Sequence, residues 1–299
     1  MDHIAILIPC YNEEITIGKV VSDFRAVLPE AVVYVYDNNS TDKTVERVQK
    51  AGAIVRHEYQ QGKGNVVRRM FQDVDAECYI LVDGDDTYSA LEAEQMTERV
   101  LKYHADMVIG DRLNTTYFTE NKRKFHNVGN RFMRWAINKL FSGNVADAMT
   151  GYRAFSYRFV KTFPGLSQNF EIETEMTIHA LDKNLQIEEV AVAYRDRPKG
   201  SQSKLNTIKD GVSVIRERLQ LFRLYRPGVF WRMLAVIFIL VGIGVLQFDT
   251  THNKICFLLS GIVVLGGVQA VFLSVMLEDM HRKNKQDFEK ELKCKNNKS

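Results

Sequence analysis

Residues 83–86, Asp83-Gly84-Asp85-Asp86, place three carboxylates directly after an apolar run, Cys78-Tyr79-Ile80-Leu81-Val82. Oxygen-rich carboxylate sites suit hard cations such as Mg²⁺ or Mn²⁺, which take one or two protein carboxylates and fill the rest of their shell with phosphate and water. A strand ending in this group is therefore equipped to hold a divalent ion against a diphosphate, with Asp85 as the main ligand and Asp83 on the metal or on a ribose. Taken alone, the tetrapeptide reads equally well as an acidic turn.

It does not stand alone. His3 to Pro9 runs into Cys10-Tyr11-Asn12-Glu13-Glu14, and Val32 to Tyr36 runs into Asp37-Asn38-Asn39-Ser40-Thr41-Asp42. In an open parallel α/β sheet, ligands bind beyond the carboxyl ends of the strands, so three such ends face one crevice. There Asp37 can accept a hydrogen bond from a base or ribose, and Tyr11 can lie against the ring. Ser40 or Thr41 is expected to cap the helix that follows. Lys63, flanked by Gly62 and Gly64, can approach a diphosphate because glycine lets backbone come close. The second half supplies cations at the expected rim: Arg112, Arg123, Lys124, Arg131, Arg153, Arg195, Arg197 and Lys204. A lipid phosphate acceptor needs such groups for positioning and neutralisation, whereas a hydroxyl acceptor needs a carboxylate base. Asp147, Glu171, Glu173 and Glu175 are the acids available for that task.

These residues need elements to position them. Strand patterns at 3–8, 31–36, 53–57, 78–82 and 106–110 alternate with helical patterns at about 14–28, 42–51, 64–75 and 90–104. Helices at about 123–142 and 171–183 and a strand at 186–194 follow. This alternation predicts a mostly parallel sheet with helices on its faces.

At this point the chain resembles the family 2 glycosyltransferases of GT-A fold. The resemblance rests on Pro9-Cys10-Tyr11-Asn12-Glu13, Asp37-Asn38-Asn39-Ser40-Thr41-Asp42, Gly62-Lys63-Gly64 and Asp83-Gly84-Asp85, in that order. Gly110-Asp111-Arg112, Thr150-Gly151-Tyr152-Arg153-Ala154-Phe155, Arg197, Gly200-Ser201 and Ser203-Lys204-Leu205 make it most similar to the polyprenyl-phosphate hexosyltransferases, which include the dolichyl-phosphate mannose synthases. The resemblance implies a Rossmann-like GT-A domain with Pro9, Tyr11, Glu13, Asp37, Lys63 and Asp83 on the nucleotide sugar, and Asp83 and Asp85 on Mg²⁺ or Mn²⁺. It also implies Arg112, Arg123, Arg153, Arg197 and Lys204 on the acceptor phosphate, with Asp83, Asp85, Arg112 and Arg153 forming the catalytic set. Asn38 and Asn39 stand where the family commonly has Asp-Gly. Thr87 stands where mannose synthases often carry a metal-facing Gln, which favours a UDP-sugar over GDP-mannose.

The remaining sequence concerns location. The 299 residues carry a net charge of only +3, so composition gives no broad nucleic-acid footprint. The four cysteines lack metal-type spacing and read as reduced thiols. Met1-Asp2-His3 leads straight into a short strand rather than a secretory signal. Val229 to Phe248 and Ile255 to Leu277 are each long and apolar enough to cross a ~30 Å hydrocarbon layer as helices. The basic tail after them predicts a cytoplasmic C-terminus.

The expected organisation is a GT-A domain at 1–206, an amphipathic interfacial helix and linker at 207–228, a two-helix transmembrane hairpin at 229–277 and a basic cytoplasmic tail at 278–299. Intramembrane glycines at 242, 244, 261, 266 and 267 permit a homo-oligomer. The expected activity is an inverting, metal-dependent transfer of a hexose from a nucleotide sugar to polyprenyl phosphate at the cytoplasmic membrane face. Transfer to a hydroxyl of a glycolipid or glycan, with Asp147 or Glu171 as base, is the alternative enzyme. A nucleotide-sugar-binding membrane scaffold without activity is the alternative outside catalysis.

Overall fold

The computed structural model describes residues 1–113, 124–198, 200, 219–248 and 254–296, which fall into two units, Met1–Asp210 and Gly211–Ser299. In the first, β1 (Asp2–Cys10), α1 (Ile17–Val27), β2 (Val32–Asp37), α2 (Thr44–Ala51), β3 (Ile54–His57), α3 (Lys63–Asp73) and β4 (Ala76–Leu81) alternate as the periodicity predicts. There follow α4 (Ala93–Leu101), β5 (Met107–Asp111), α5 (Lys124–Phe141), β6 (Arg153–Ser156), α6 (Tyr157–Thr162), α7 (Glu171–Asp182) and β7 (Ile187–Ala191).

The strands form one seven-stranded sheet in the order β3-β2-β1-β4-β6-β5-β7. Every pairing is parallel except the two made by β6, which runs against both β4 and β5. The sequence reading lacks β6 and α6. Four residues with an Arg at their head and both faces buried carry no period-2 signal. Chain order reverses at β1, with β2 on one side and β4 on the other, and the ends of β1 and β4 open the crevice that such a reversal creates.

Apolar burial fixes this register. Ile4, Ile6, Ile8 and Cys10 alternate along β1 toward one face, where Ile17, Val20, Val21 and Phe24 of α1 meet them at helical spacing. A one-residue slip would turn that row to the opposite face, so the position of each strand end is strongly specified.

In the second unit residues 219–225 are helical, and α8 (Pro227–Phe248) and α9 (Lys254–Asn296) pack against each other. Both contain stretches long and apolar enough to cross a membrane, Pro227–Val245 and Phe257–Lys290, with only 17% and 22% of their apolar windows buried, unlike core helices of a soluble fold. Gly242 and Gly267 let the helices approach, since a Cβ on Gly267 would lie 2.9 Å from Ile239. The sequence predicts a separate tail after Leu277, but α9 continues unbroken to Asn296. That stretch has no Pro or Gly and is rich in Lys and Glu, which are good helix formers. Arg232, near the start of α8, pairs with Glu278 at 2.7 Å. Residues 207–218 of the expected interfacial helix lie outside the described residues.

His179 on α7 sits edge-on to Phe159 and Phe163, at centroid distances of 5.7 and 5.4 Å. Burial, with Lys183 adding to it, pushes the imidazole down from the ordinary 6.5 to about 4. A folded-state pKa below the unfolded one means that the unfolded chain binds the extra proton first. Stability should therefore be unaffected by this group above pH 6.5 and decline as pH falls from 6.5 toward 4. Melting temperatures across that range should fall less steeply for His179→Gln than for the parent chain.

Candidate active site

The loops after β1 and β2 are built as one piece. Asn12 takes a left-handed φ of 51°, its N–H donates to Ser40 Oγ at 2.9 Å, and its Oδ1 accepts from the Thr41 N–H at 2.8 Å. Ser40 and Thr41 thus bind the β1 loop instead of capping α2. Asp42, just before the helix, accepts from the Thr44 N–H at 2.9 Å, while the N-cap position is Lys43 and has no side-chain cap. Asp37, at the tip of β2 and 4% exposed, accepts from the Ser40 N–H at 3.2 Å and lies 3.4 Å from His57 Nδ1. The His57 ring stacks on Tyr59, and Tyr11 is 36% exposed. Asp37, Tyr11, His57 and Tyr59 thus cluster at the ends of β1 to β3.

Asn38, the departure from the common Asp-Gly, has a clear structural role. Its Nδ2 donates to the carbonyls of Glu58 and Gln60 at 2.7 and 2.9 Å, and its Oδ1 accepts from the Gly62 N–H at 2.8 Å. This shapes the loop that delivers Lys63. Gly62 has φ +130°, a region that side chains avoid, and the Gly64 N–H donates to Gln168 O at 2.8 Å. Glu175 secures the facing loop by accepting from the N–H groups of Leu166 and Ser167 at 3.0 and 2.7 Å.

Each acid of the 83–86 segment meets a cation from a different part of the chain. Lys63 Nζ contacts Asp83 Oδ1 and, at 2.6 Å, Glu173 Oε1. Burial opposes the charge on Lys63, but these two carboxylates outweigh it and hold the ammonium well above the ordinary lysine range. Asp85 Oδ2 meets Arg197 Nη2 at 2.5 Å, while Glu13 Oε1 meets Arg197 Nη1 at 3.3 Å. Asp86, in a left-handed φ of 58°, pairs with Lys19 at 2.9 Å and lies 4.0 Å from Arg195. Burial and then the Asp83 charge raise the Asp85 pKa, with Arg197 and Thr87 opposing. Burial likewise raises that of Glu173, with Lys63 opposing. Thr87, where the resemblance suggested Gln, donates from Oγ1 to Asp85 Oδ1 at 2.6 Å and orients that carboxylate.

Two of the expected phosphate-side arginines are differently employed. Arg153 has no exposed surface, so the expectation that it touches the acceptor phosphate is corrected: its guanidinium faces the interior of the domain. It donates to Thr150 O, Ala148 O and Thr177 Oγ1 at 3.0, 2.9 and 2.9 Å, and burial lowers its pKa to about 10. Arg112 donates to Asp147 Oδ2, Met149 O and the Tyr88 oxygen at 2.8, 3.0 and 3.3 Å. Together they strap residues 147–151 against the acids. A Cβ on Gly151 would run into the Asp83 carboxylate.

The structure therefore brings together Pro9, Tyr11, Glu13, Asp37, Lys63, Asp83, Asp85 and Arg197 around the ends of β1, β2 and β4. Arg112 stands behind them and Arg153 lies beneath. Arg123 and Lys204 lie outside the described residues. The sequence does not mark Tyr88 or His57 as site residues. It offers Glu173 only as one of four candidate bases and Thr87 only as a departure from the mannose-synthase pattern, and the partner of Glu173, Lys63, is 110 residues away. Among the described residues no three His, Cys, Asp or Glu side chains converge to hold a metal. Asp83 and Asp85 form a two-carboxylate set, the kind that hard cations complete with phosphate and water.

Residues 5–163 match the glycosyl transferase family 2. The chain is similar to glycosyltransferase AglJ of Haloferax volcanii, 30% identical over 296 residues that cover 94% of this chain and 95% of that one. It is also similar to the dolichyl-phosphate hexose transferase of the same organism, 27% identical over 228 residues, with 74% of this chain and 97% of that one covered. Among solved structures, glucosyl-3-phosphoglycerate synthase from Mycobacterium tuberculosis, in complex with Mn²⁺ and UDP-glucose, superposes with a TM-score of 0.59 at 19% identity. That match covers 75% of this chain and 79% of that one, and it is a likeness of fold. From the sheet order, the acidic strand ends and these matches together, the chain belongs to glycosyl transferase family 2 and is a glycosyltransferase of GT-A fold.

Proposed function

We propose that this glycosyltransferase moves a hexose from a nucleotide sugar, a UDP-sugar in preference to GDP-mannose, to polyprenyl phosphate at the cytoplasmic face of a membrane, with inversion at the anomeric carbon. The observation that carries the reading is the pairing of Asp85 with Arg197: a metal-ligand carboxylate and a phosphate-binding guanidinium share one crevice, in a chain that also has two apolar helices. The dolichyl-phosphate hexose transferase of Haloferax volcanii supports the acceptor class. UDP-glucose in the Mycobacterium tuberculosis synthase is compatible with the donor class.

The donor's base and ribose lie against Tyr11 and Asp37, with Pro9 and Glu13 shaping the β1 side and Lys63 near the diphosphate. Asp85 and Asp83 would hold Mg²⁺ or Mn²⁺, whose chemistry when bound is to neutralise charge on the departing nucleoside diphosphate. A positive group already stands 2.5 Å from Asp85, so the position accommodates a cation. The acceptor's phosphate oxygen forms the new bond to the anomeric carbon from the face opposite the diphosphate, and the bond to the diphosphate breaks. A phosphate is already anionic at neutral pH, so no carboxylate has to remove a proton. Asp147, Glu173 and Glu175 are each bonded to an arginine, a lysine or backbone amides, which disfavours a hydroxyl acceptor activated by any of them. Arg197 serves the acceptor phosphate, with Arg123 and Lys204 proposed beside it. Arg112 and Arg153 hold the wall at residues 147–151.

The test is transfer of labelled hexose from a panel of UDP- and GDP-sugars into the organic phase, using purified protein in detergent with polyprenyl phosphate and Mn²⁺ or Mg²⁺. One UDP-sugar should label the lipid, and Asp85→Ala should lower the rate by about 100-fold or more. Label appearing only on a hydroxyl acceptor would overturn the acceptor assignment. Gly151→Ala should reduce kcat by about 10- to 100-fold through displacement of Asp83, with little change in melting temperature. A variant that keeps full turnover would remove the 147–151 wall from the mechanism.

A further inference from the structure

The cations on the three acids are not held equally. Lys63 is enclosed, with its side chain 8% exposed, and Glu173 anchors its far side. Lys19 sits at the surface between Asp86 and Asp23. Arg197 is different on two counts. Its side chain is 28% exposed, and it lies on Asp85, whose other oxygen is already taken by Thr87. Its segment has no regular secondary structure, yet is pinned close by: Tyr194 forms a bridge with Tyr88, and the Arg195 N–H donates to Thr87 O at 2.9 Å. The guanidinium is thus fastened next to the acidic loop by backbone while its tip reaches Asp85 and Glu13.

One carboxylate oxygen, Asp85 Oδ2, is thereby contested. A divalent ion and a guanidinium cannot both occupy it at contact distance, because like charges that close repel strongly at the effective dielectric of a partly buried site. Whichever leaves needs another anion.

We infer that Arg197 is an exchanging counterion: it neutralises Asp85 and Glu13 before the divalent ion binds, is displaced from Asp85 by it, and is then presented to the anionic phosphate of the acceptor. Its second stage rests on the lipid-phosphate reading above; its first does not. Metal and acceptor phosphate then bind cooperatively, because each draws a different partner from the same ion pair, and such coupling is reciprocal. Arg197 is a positioning residue toward the metal and a binding residue toward the acceptor.

The experiment measures Mn²⁺ affinity of the full-length protein in detergent, without nucleotide, from the spectroscopic signal of free Mn²⁺. Removing a competing cation should tighten binding, so Arg197→Ala should bind Mn²⁺ about threefold to tenfold more tightly than the parent chain. Arg197→Lys, which keeps a cation, should stay near the parent value, and Asp85→Asn should bind weakly. Unchanged or weaker Mn²⁺ binding by a folded Arg197→Ala overturns the exchange.

A second measurement needs no variant. A short-chain polyprenyl phosphate should tighten Mn²⁺ binding to the parent chain, and Mn²⁺ should tighten binding of the lipid by the same factor. Absence of this coupling in the parent chain, with Arg197→Ala still tightening Mn²⁺, keeps the exchange at Asp85 and overturns the lipid-phosphate reading. Equal coupling by inorganic phosphate at the same concentration overturns the lipid as the source of the anion.

Discussion

Carboxylates gathered at the end of one buried strand repel one another and lose hydration, and the rest of the site is arranged around that cost. Desolvation penalises each ionised acid, so each needs a positive partner or a set of hydrogen bonds. Here the partners come from α3, from α1 and from the segment after β7, three elements far apart in sequence. Acid repulsion is thereby converted into tertiary specificity: the three elements have to dock for the cluster to be tolerated. The same requirement favours a metal ion, which is another way to meet the same electrostatic demand.

The wall opposite the acids follows a different logic, in which a buried arginine acts as scaffold. Arg153 binds two carbonyls and a hydroxyl from the interior while Arg112 binds Asp147, Met149 and Tyr88 from the other side. A planar group with five donors in fixed directions suits this task better than a lysine, which presents only a compact point charge. Glycine at 151 completes the arrangement by leaving space for the Asp83 carboxylate. Arginines that sequence alone would assign to phosphate binding can instead hold the loop at residues 147–151. Burial distinguishes the two uses.

Much of this was legible beforehand. The strands ending in Cys10, Asp37 and the Asp83 segment declare themselves because apolar β-forming runs stop abruptly at polar residues, and α1 because Ile17, Val20, Val21 and Phe24 keep helical spacing. What escaped has physical reasons. β6 is four residues long and buried on both faces, so alternation is absent. Glu171 and Glu175 share a helix face by spacing, yet Glu173 makes the important contact, to a lysine brought in by tertiary packing. Asn38 and Thr87 looked like departures from a pattern, and each has a defined bonding role that only three-dimensional placement shows. The helical course of α9 beyond the apolar stretch follows local composition, but the change from apolar to charged residues made it read as a boundary.

The reversed strand β6 also governs the order in which the domain can be completed. Strands β3, β2, β1 and β4 pair among themselves, and β5 pairs with β7, but the two groups are joined in the sheet only through β6. Since β5 precedes β6 in the chain and β7 follows it, β5 emerges from the ribosome with neither neighbour available. It can enter the sheet only after residue 153 has been made, some forty residues later. Until then the half that carries Tyr11, Asp37 and Asp85 has its own sheet, while Arg112, on the far side of the gap, has no wall to hold. The half that carries the ends of β1, β2 and β4 can therefore mature during synthesis well before the half that carries Arg112 exists, and β6 is the keystone that turns two partial sheets into one.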